Sequence, residues 1–219
     1  MNRSPIYQYA KAPVQTDARL FSSVFERNSP PIIAALARYL SDRTGSVLEI
    51  GSGTGQHAAA LQLAFPALDW QASDPSAEHR ASTAAWFQHV RLPARAALDI
   101  DAATDWADLD AVQNLGPLQA VVSMNVLHIA PFAVTQSIIA QARTALSDDG
   151  MLLFYGPFAI NGDMISDGNR AFDAQLRAND PNAGIRDTDD IAQIATQHHM
   201  RLDEIRPMPA NNQLLILRA

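Results

Sequence analysis

Gly51, Gly53 and Gly55 stand at alternate positions directly after the apolar run Ser46–Ile50, and a carboxylate, Glu49, lies two residues before the first of them. Glycines at that spacing let the backbone turn tightly and approach a ligand with no Cβ in the way. A buried strand before them and a helix from Gln56 to Ala64 after them make a strand–turn–helix unit, the place where open α/β sheets hold nucleotide-like ligands. A dinucleotide fingerprint, G-x-G-x-x-G, needs its third glycine at position 56, which here is Gln. Asp74 ends the next apolar run about twenty residues past Gly53, the spacing at which an acid accepts hydrogen bonds from a ribose diol. Its alternative role is a turn or helix cap before Pro75. Asp99, with Ile100 beside it, ends a third run, where a carboxylate can meet an adenine amino group; Asp101 competes for that role. Asn125 follows a fourth run and could contact a cofactor through side chain or backbone.

Three residues beyond Asn125 stands His128. A neutral imidazole at a strand end can take a proton from a substrate nucleophile. It can equally order the loop before the helix that Pro131 opens. No His, Asp and Glu set has metal-ligand spacing, and with no cysteine in the chain thiolate chemistry and disulfides are excluded.

The elements that must position these residues alternate. Ser29-Pro30-Pro31 predicts the opening of a first helix, since proline suits a first turn. Runs at Ser46–Ile50, Leu68–Ser73, Ala94–Ile100 (weakly), Ala120–Met124 and Met151–Tyr155 predict strands with helices between them. A last helix follows Thr188, and 201–206 and 213–218 predict two closing strands. The alternation implies an α/β fold with a mostly parallel sheet and helices on both faces. Residues 1–28 are expected to form an N-terminal arm or lid. Residues 156–187 are too long for a simple connection and are expected to cap the site. Within one domain of 219 residues, these are the only segments that stand apart.

Composition narrows the partners. Net charge is −7 and the sequence pI about 5.2, with lysine only at Lys11. That argues against a phosphate-backbone partner, and hence no nucleic acid is expected. The aromatics are dispersed without interleaved cations, so they do not make a base-stacking platform. No apolar run is long enough to span a membrane, and a cytoplasmic location is the expectation.

The spacing G-x-G-x-G with a preceding acid resembles the first motif of class I S-adenosylmethionine-dependent methyltransferases. Over nearly its whole length the chain is similar to an uncharacterised group within that superfamily, bacterial proteins of unknown function with a vertebrate methyltransferase-like relative. The matching pieces are Glu26-Arg27-Asn28, Leu48 to His57, Trp70 to Asp74, Asn125 to Pro131, Tyr155 to Phe158, Asn161-Gly162, Phe172-Asp173, Gly184 to Asp187, and Met208 to Asn212. The resemblance implies a Rossmann-like, seven-stranded sheet whose last strand is antiparallel, and S-adenosylmethionine as cofactor. On this reading Glu49, Gly51, Ser52, Gly53, Gly55, Gln56, His57, Asp74, Asp99, Ile100 and Asn125 line the cofactor. His128 and Tyr155 are the catalytic candidates. Arg27, Asn28, Asn161, Arg186, Asn211 and Asn212 would surround a small polar methyl acceptor carrying a carboxylate or other oxyanion. Each of these polar residues also has a structural alternative: Arg186-Asp187 as a local ion pair, Asn211-Asn212 as a turn. A protein that binds the cofactor without transferring the methyl group is the alternative function.

Overall fold

The computed structural model describes residues 17–219. Of the expected arm, residues 1–16 therefore lie outside the described residues. The elements run α1 (Phe25–Leu40), β1 (Gly45–Ile50), α2 (Gln56–Ala64), β2 (Leu68–Ser73), α3 (Ala77–His89), α4 (Asp110–Gln113), β3 (Leu118–Met124), α5 (Phe132–Ala145), β4 (Leu146–Gly156), β5 (Phe158–Ile160), β6 (Asp163–Met164), α6 (Asp167–Asn179), β7 (Arg186–Asp187), α7 (Thr188–Gln197), β8 (Arg201–Met208) and β9 (Asn212–Arg218).

The main sheet has six strands in the order β2-β1-β3-β4-β9-β8. The first four are parallel, and β9 runs antiparallel to both β4 and β8. The expected seventh strand, Ala94–Ile100, is the difference. Only Leu98 pairs, through a single bridge to Ser73. Alanine at 94, 96 and 97 has little to pack on a pleated surface, so the segment stays extended without building a ladder.

Strand periodicity divides the core into two layers. Leu48, Ile50, Val121, Leu152 and Phe154 face α5 and α7 through Ile138, Ile139, Ile191 and Ile194. Val47, Trp70, Val122, Leu153 and Ile216 face α1 and α2 through Ile32, Leu36, Ala58 and Leu61. Side chains alternate along a strand, so Glu49 points with Val47 into the second apolar layer.

Helix α1 begins at Phe25, earlier than the proline pair suggested, so Arg27 and Asn28 belong to its first two turns rather than to an arm. Pro30 and Pro31 lie inside the helix and leave the carbonyls of Glu26 and Arg27 without their helical donors. Residues 156–187 form a small sheet ordered β6-β5-β7 packed with α6. Its core is Ala159, Leu176, Ala183 and Ile185.

Candidate functional site

The glycine turn leaves β1 at the carboxyl edge of the sheet. Gly51, Gly53 and Gly55 all have positive φ, a backbone state that side chains disfavour. Close packing adds a second constraint. A Cβ on Gly51 would come 2.6 Å from Val126, in the loop after β3, and one on Gly55 would collide with the backbone of Thr83 in α3. The turn uses its own donors. Gly51 and Ser52 N–H both donate to Ser73 O, Gly55 N–H to Ser52 O, and Gly53 N–H to Asp74 Oδ2 at 2.9 Å. These four donors are therefore committed within the protein, which is unlike a cradle of free N–H groups for a pyrophosphate.

Asp74 is buried at 5% exposure. Its Oδ1 accepts from Ser76 N–H at 2.8 Å and lies 3.0 Å from His79 Nδ1, while among the described residues Oδ2 takes only the Gly53 bond. A carboxylate oxygen has two lone-pair sites, so one acceptor position remains on Oδ2. Asp99 is exposed and pairs with Arg80 Nη1 at 2.9 Å. Arg80 Nη1 also donates to Asp74 O, so one guanidinium joins the ends of both segments. Asp101 instead closes its own turn, accepting from Ala103 N–H and, through its carbonyl, from Thr104. The Ile100 side chain is buried in the α5 layer, leaving only its backbone for a ligand.

Glu49 is fully enclosed and accepts from Trp70 Nε1 at 2.7 Å. Burial pushes its carboxyl up to about 7, with the indole hydrogen bond pulling down and the Asp74 charge adding to the rise. Gln56 is also buried, but its Oε1 accepts from Ser22 N–H at 2.6 Å. Together with Ser82 Oγ and Trp86 Nε1, which bond Leu20, it pins residues 20–22 beside the turn. His57 packs edge-on to Phe25, and burial lowers its imidazole to about 4.

A second cluster forms where β3 and β4 end. Asn125 takes a positive φ and donates its N–H to Tyr155 O. A methyl group placed on Gly156 would stand 3.6 Å from His128 Nδ1 and 3.7 Å from Asn125 Oδ1, so these three residues converge. His128 is buried against Phe172 of α6. Burial first, then the Arg186 charge, lowers it to about 3. Such an imidazole stays neutral and is a weak proton acceptor at neutral pH. The Tyr155 hydroxyl accepts from Asn212 Nδ2 at 3.2 Å. Burial raises its pKa, opposed by that hydrogen bond and by the Arg27 charge. Arg27 is exposed and donates from Nε to Asn28 Oδ1, and among the described residues no carboxylate lies within ion-pair distance of it.

Three of the residues expected to meet an acceptor have structural partners within the fold. Arg186 donates from Nε to Leu127 O and from Nη2 to Ala130 O and Asn182 O. It ties the loop holding His128 to Asn182, and among the described residues it forms no ion pair with Asp187. Asp187 caps α7 and receives Gly162 N–H. Asn161, exposed and at positive φ, forms with Gly162 the two-residue hairpin turn between β5 and β6. Asn211 is exposed in the turn before β9, and its carbonyl accepts from Asn169 of α6. Sequence reasoning missed His79, Arg80 and Ser82. The signal available for them was three polar residues in the opening turns of the helix that follows Asp74.

Among the described residues, no set of three His, Asp or Glu side chains could hold a metal ion, and no helix is long and apolar enough to cross a membrane.

A family model described as a protein of unknown function, DUF938, matches residues 19–219. Among solved structures, the fold is similar to an O-methyltransferase family protein from Burkholderia thailandensis, with a TM-score of 0.73 at 17% identity over 87% of this chain and 55% of that one. It is similar also to mitomycin 7-O-methyltransferase, with a TM-score of 0.71 at 17% identity over 90% and 54%. A third likeness is an O-methyltransferase from neocarzinostatin biosynthesis, solved with S-adenosylmethionine and 2-hydroxy-5-methyl naphthoic acid, with a TM-score of 0.67 at 18% identity over 89% and 54%. The chain thus spans about half the length of each of these structures. The α/β fold resembles that of class I methyltransferases.

Proposed function

The chain belongs to the DUF938 family, and from that premise we propose that it is an S-adenosylmethionine-dependent methyltransferase acting on a small polar molecule that carries a carboxylate or other oxyanion. The observation that carries the cofactor reading is the glycine turn itself. Its four assigned N–H donors are committed internally, while Asp74 keeps one acceptor position at the turn's edge. A ligand with a ribose diol and no pyrophosphate fits that arrangement better than a dinucleotide does. Solved structures of similar fold, one with S-adenosylmethionine and others with S-adenosylhomocysteine, support it.

The cofactor would supply an activated methyl group on a cationic sulfur. The residues have to align an acceptor with it and keep water out. Asp74 would take the ribose, Asp99 and the Ile100 backbone the adenine, and the buried Glu49 would favour the positive end of the ligand. Asn212 of β9 hydrogen-bonds the Tyr155 hydroxyl, the Arg27 charge of α1 acts on it, and these two with Asn28 would hold the acceptor's negative group. His128, held neutral, would orient the acceptor through a hydrogen bond.

Neither His128 nor Tyr155 has the pKa of a neutral-pH base. An acceptor that is already ionised needs none, which is why a carboxylate or acidic phenol is favoured. The same observation favours the second reading, a protein that binds the cofactor without transfer. Release of S-adenosylhomocysteine across a panel of small carboxylic acids, phenols and thiols separates the two. Turnover with an acid or phenol supports transfer; cofactor binding with no turnover on any panel member supports the alternative.

A further inference from the structure

The neighbours of Asp74 assign a role to a residue that touches no expected ligand. His79 stands in the first turns of α3, five residues past Asp74, and its Nδ1 lies 3.0 Å from Asp74 Oδ1. A carboxylate can only accept, so Nδ1 carries the proton and the imidazole donates. With Ser76 N–H on the same oxygen, Oδ1 is saturated. Only the lone pair left by Gly53 on Oδ2 can serve a ligand. The next residue, Arg80, secures the backbone beneath, bonding Asp74 O and pairing with Asp99.

We propose that His79 is a positioning residue for nucleoside binding: it fixes the rotamer of Asp74 so that Oδ2 alone faces a ribose hydroxyl. The inference rests on the S-adenosylmethionine reading. A carboxylate free to rotate exchanges its two oxygens, and each wrong orientation costs ligand affinity before any contact is lost. A held carboxylate has already met that cost. The effect belongs to the hydroxyl that Asp74 meets, so it vanishes for a ligand that lacks it.

The test is calorimetry of the full chain with S-adenosylhomocysteine and with its 2′-deoxy and 3′-deoxy analogues. His79→Ala is expected to weaken S-adenosylhomocysteine about tenfold, the order of one hydrogen bond to a charged group. Against one of the two analogues the same substitution is expected to change affinity less than about twofold. His79→Asn, whose amide can donate to Oδ1, is expected to restore most of the loss while the thermal midpoint of both variants stays near wild type. Equal losses for all three ligands would make His79 a fold residue and overturn the proposal, as would no loss for any. If His79→Ala does not fold, His79→Phe, which keeps a ring and cannot donate to Oδ1, takes its place: a larger loss for S-adenosylhomocysteine than for one of the deoxy ligands supports the role, and equal losses overturn it. Failure of the wild-type chain to bind S-adenosylhomocysteine is a separate outcome that strikes the cofactor reading itself.

Discussion

Asp74 Oδ2 lies 2.9 Å from the backbone nitrogen of Gly53, so the acid at the end of β2 and the middle glycine of the turn after β1 are one hydrogen-bonded unit. The acid that would hold a ribose also holds the turn that would face it. Losing the carboxylate would remove the proposed ribose contact and leave the Gly53 donor without its acceptor.

Asp74→Ala is therefore expected to weaken S-adenosylmethionine at least tenfold and to lower stability by about 1–3 kcal/mol. Calorimetry and denaturant unfolding measure the two effects separately. Unchanged affinity would remove the ribose role while leaving the structural one.

The third glycine is required by packing. Gly55 combines a φ of +79° with a Cβ direction that runs into Thr83 of α3. Gly116 has a similar φ of +74° and nothing within 4 Å of its would-be Cβ. Gly55→Ala is expected to cost about 3 kcal/mol or more, and Gly116→Ala only about 1–2 kcal/mol of backbone strain. Equal losses in urea midpoints would mean that the α2–α3 contact is not what selects glycine at 55.

Glu49 makes stability fall as pH rises. Its carboxyl has a folded value of about 7 against an ordinary 4.5. Between those values the folded state holds a proton that the unfolded state releases. Ionising it inside the apolar layer costs about 3 kcal/mol, absent below pH 4.5 and complete above 7. Glu49→Gln is expected to raise the thermal midpoint at pH 8 and to change it little at pH 5. A cationic ligand should narrow the gap at pH 8, because it stabilises the ionised carboxylate.

His57 and His128 act from the acid side. Their imidazoles are lowered by burial from 6.5 to about 4 and about 3. Below 6.5 the unfolded chain binds protons that the fold refuses, so stability falls as pH drops from 6.5 through those values. In His128→Asn, the slope of unfolding free energy between pH 6.5 and 4 is expected to flatten by about one proton. A slope identical to wild type would place His128 in contact with water.

Arg186 ties the cap to the His128 loop through Leu127, Ala130 and Asn182 carbonyls. Arg186→Lys keeps the charge but loses the fork, and is expected to cost at least about 2 kcal/mol. Hydrogen exchange should accelerate in the loop and cap together. Acceleration confined to β7 would mean the clamp is local.

The parallel strands were legible because each is a short apolar run between turn residues, and the glycine turn because its spacing has few other uses. The missing strand at 94–100 was not, since alanines carry no pairing preference and a neighbour's edge decided the outcome. Among site residues, strand ends placed Asp74, Asn125 and His128 correctly at the sheet's carboxyl edge. Arg186, Asn161 and Asn211 each carry the chemistry of an anion contact, and the fold also uses each in a clamp or turn that their residue types did not announce. Asn161-Gly162 did have a hairpin signature. Arg186 had none, because its partners are backbone carbonyls, which every sequence possesses.

Isothermal calorimetry of the full chain against S-adenosylmethionine, S-adenosylhomocysteine and NAD tests the central claim most directly. Saturable binding of the first two and none of NAD is the predicted result. Binding of NAD alone, or of none of the three, would contradict it.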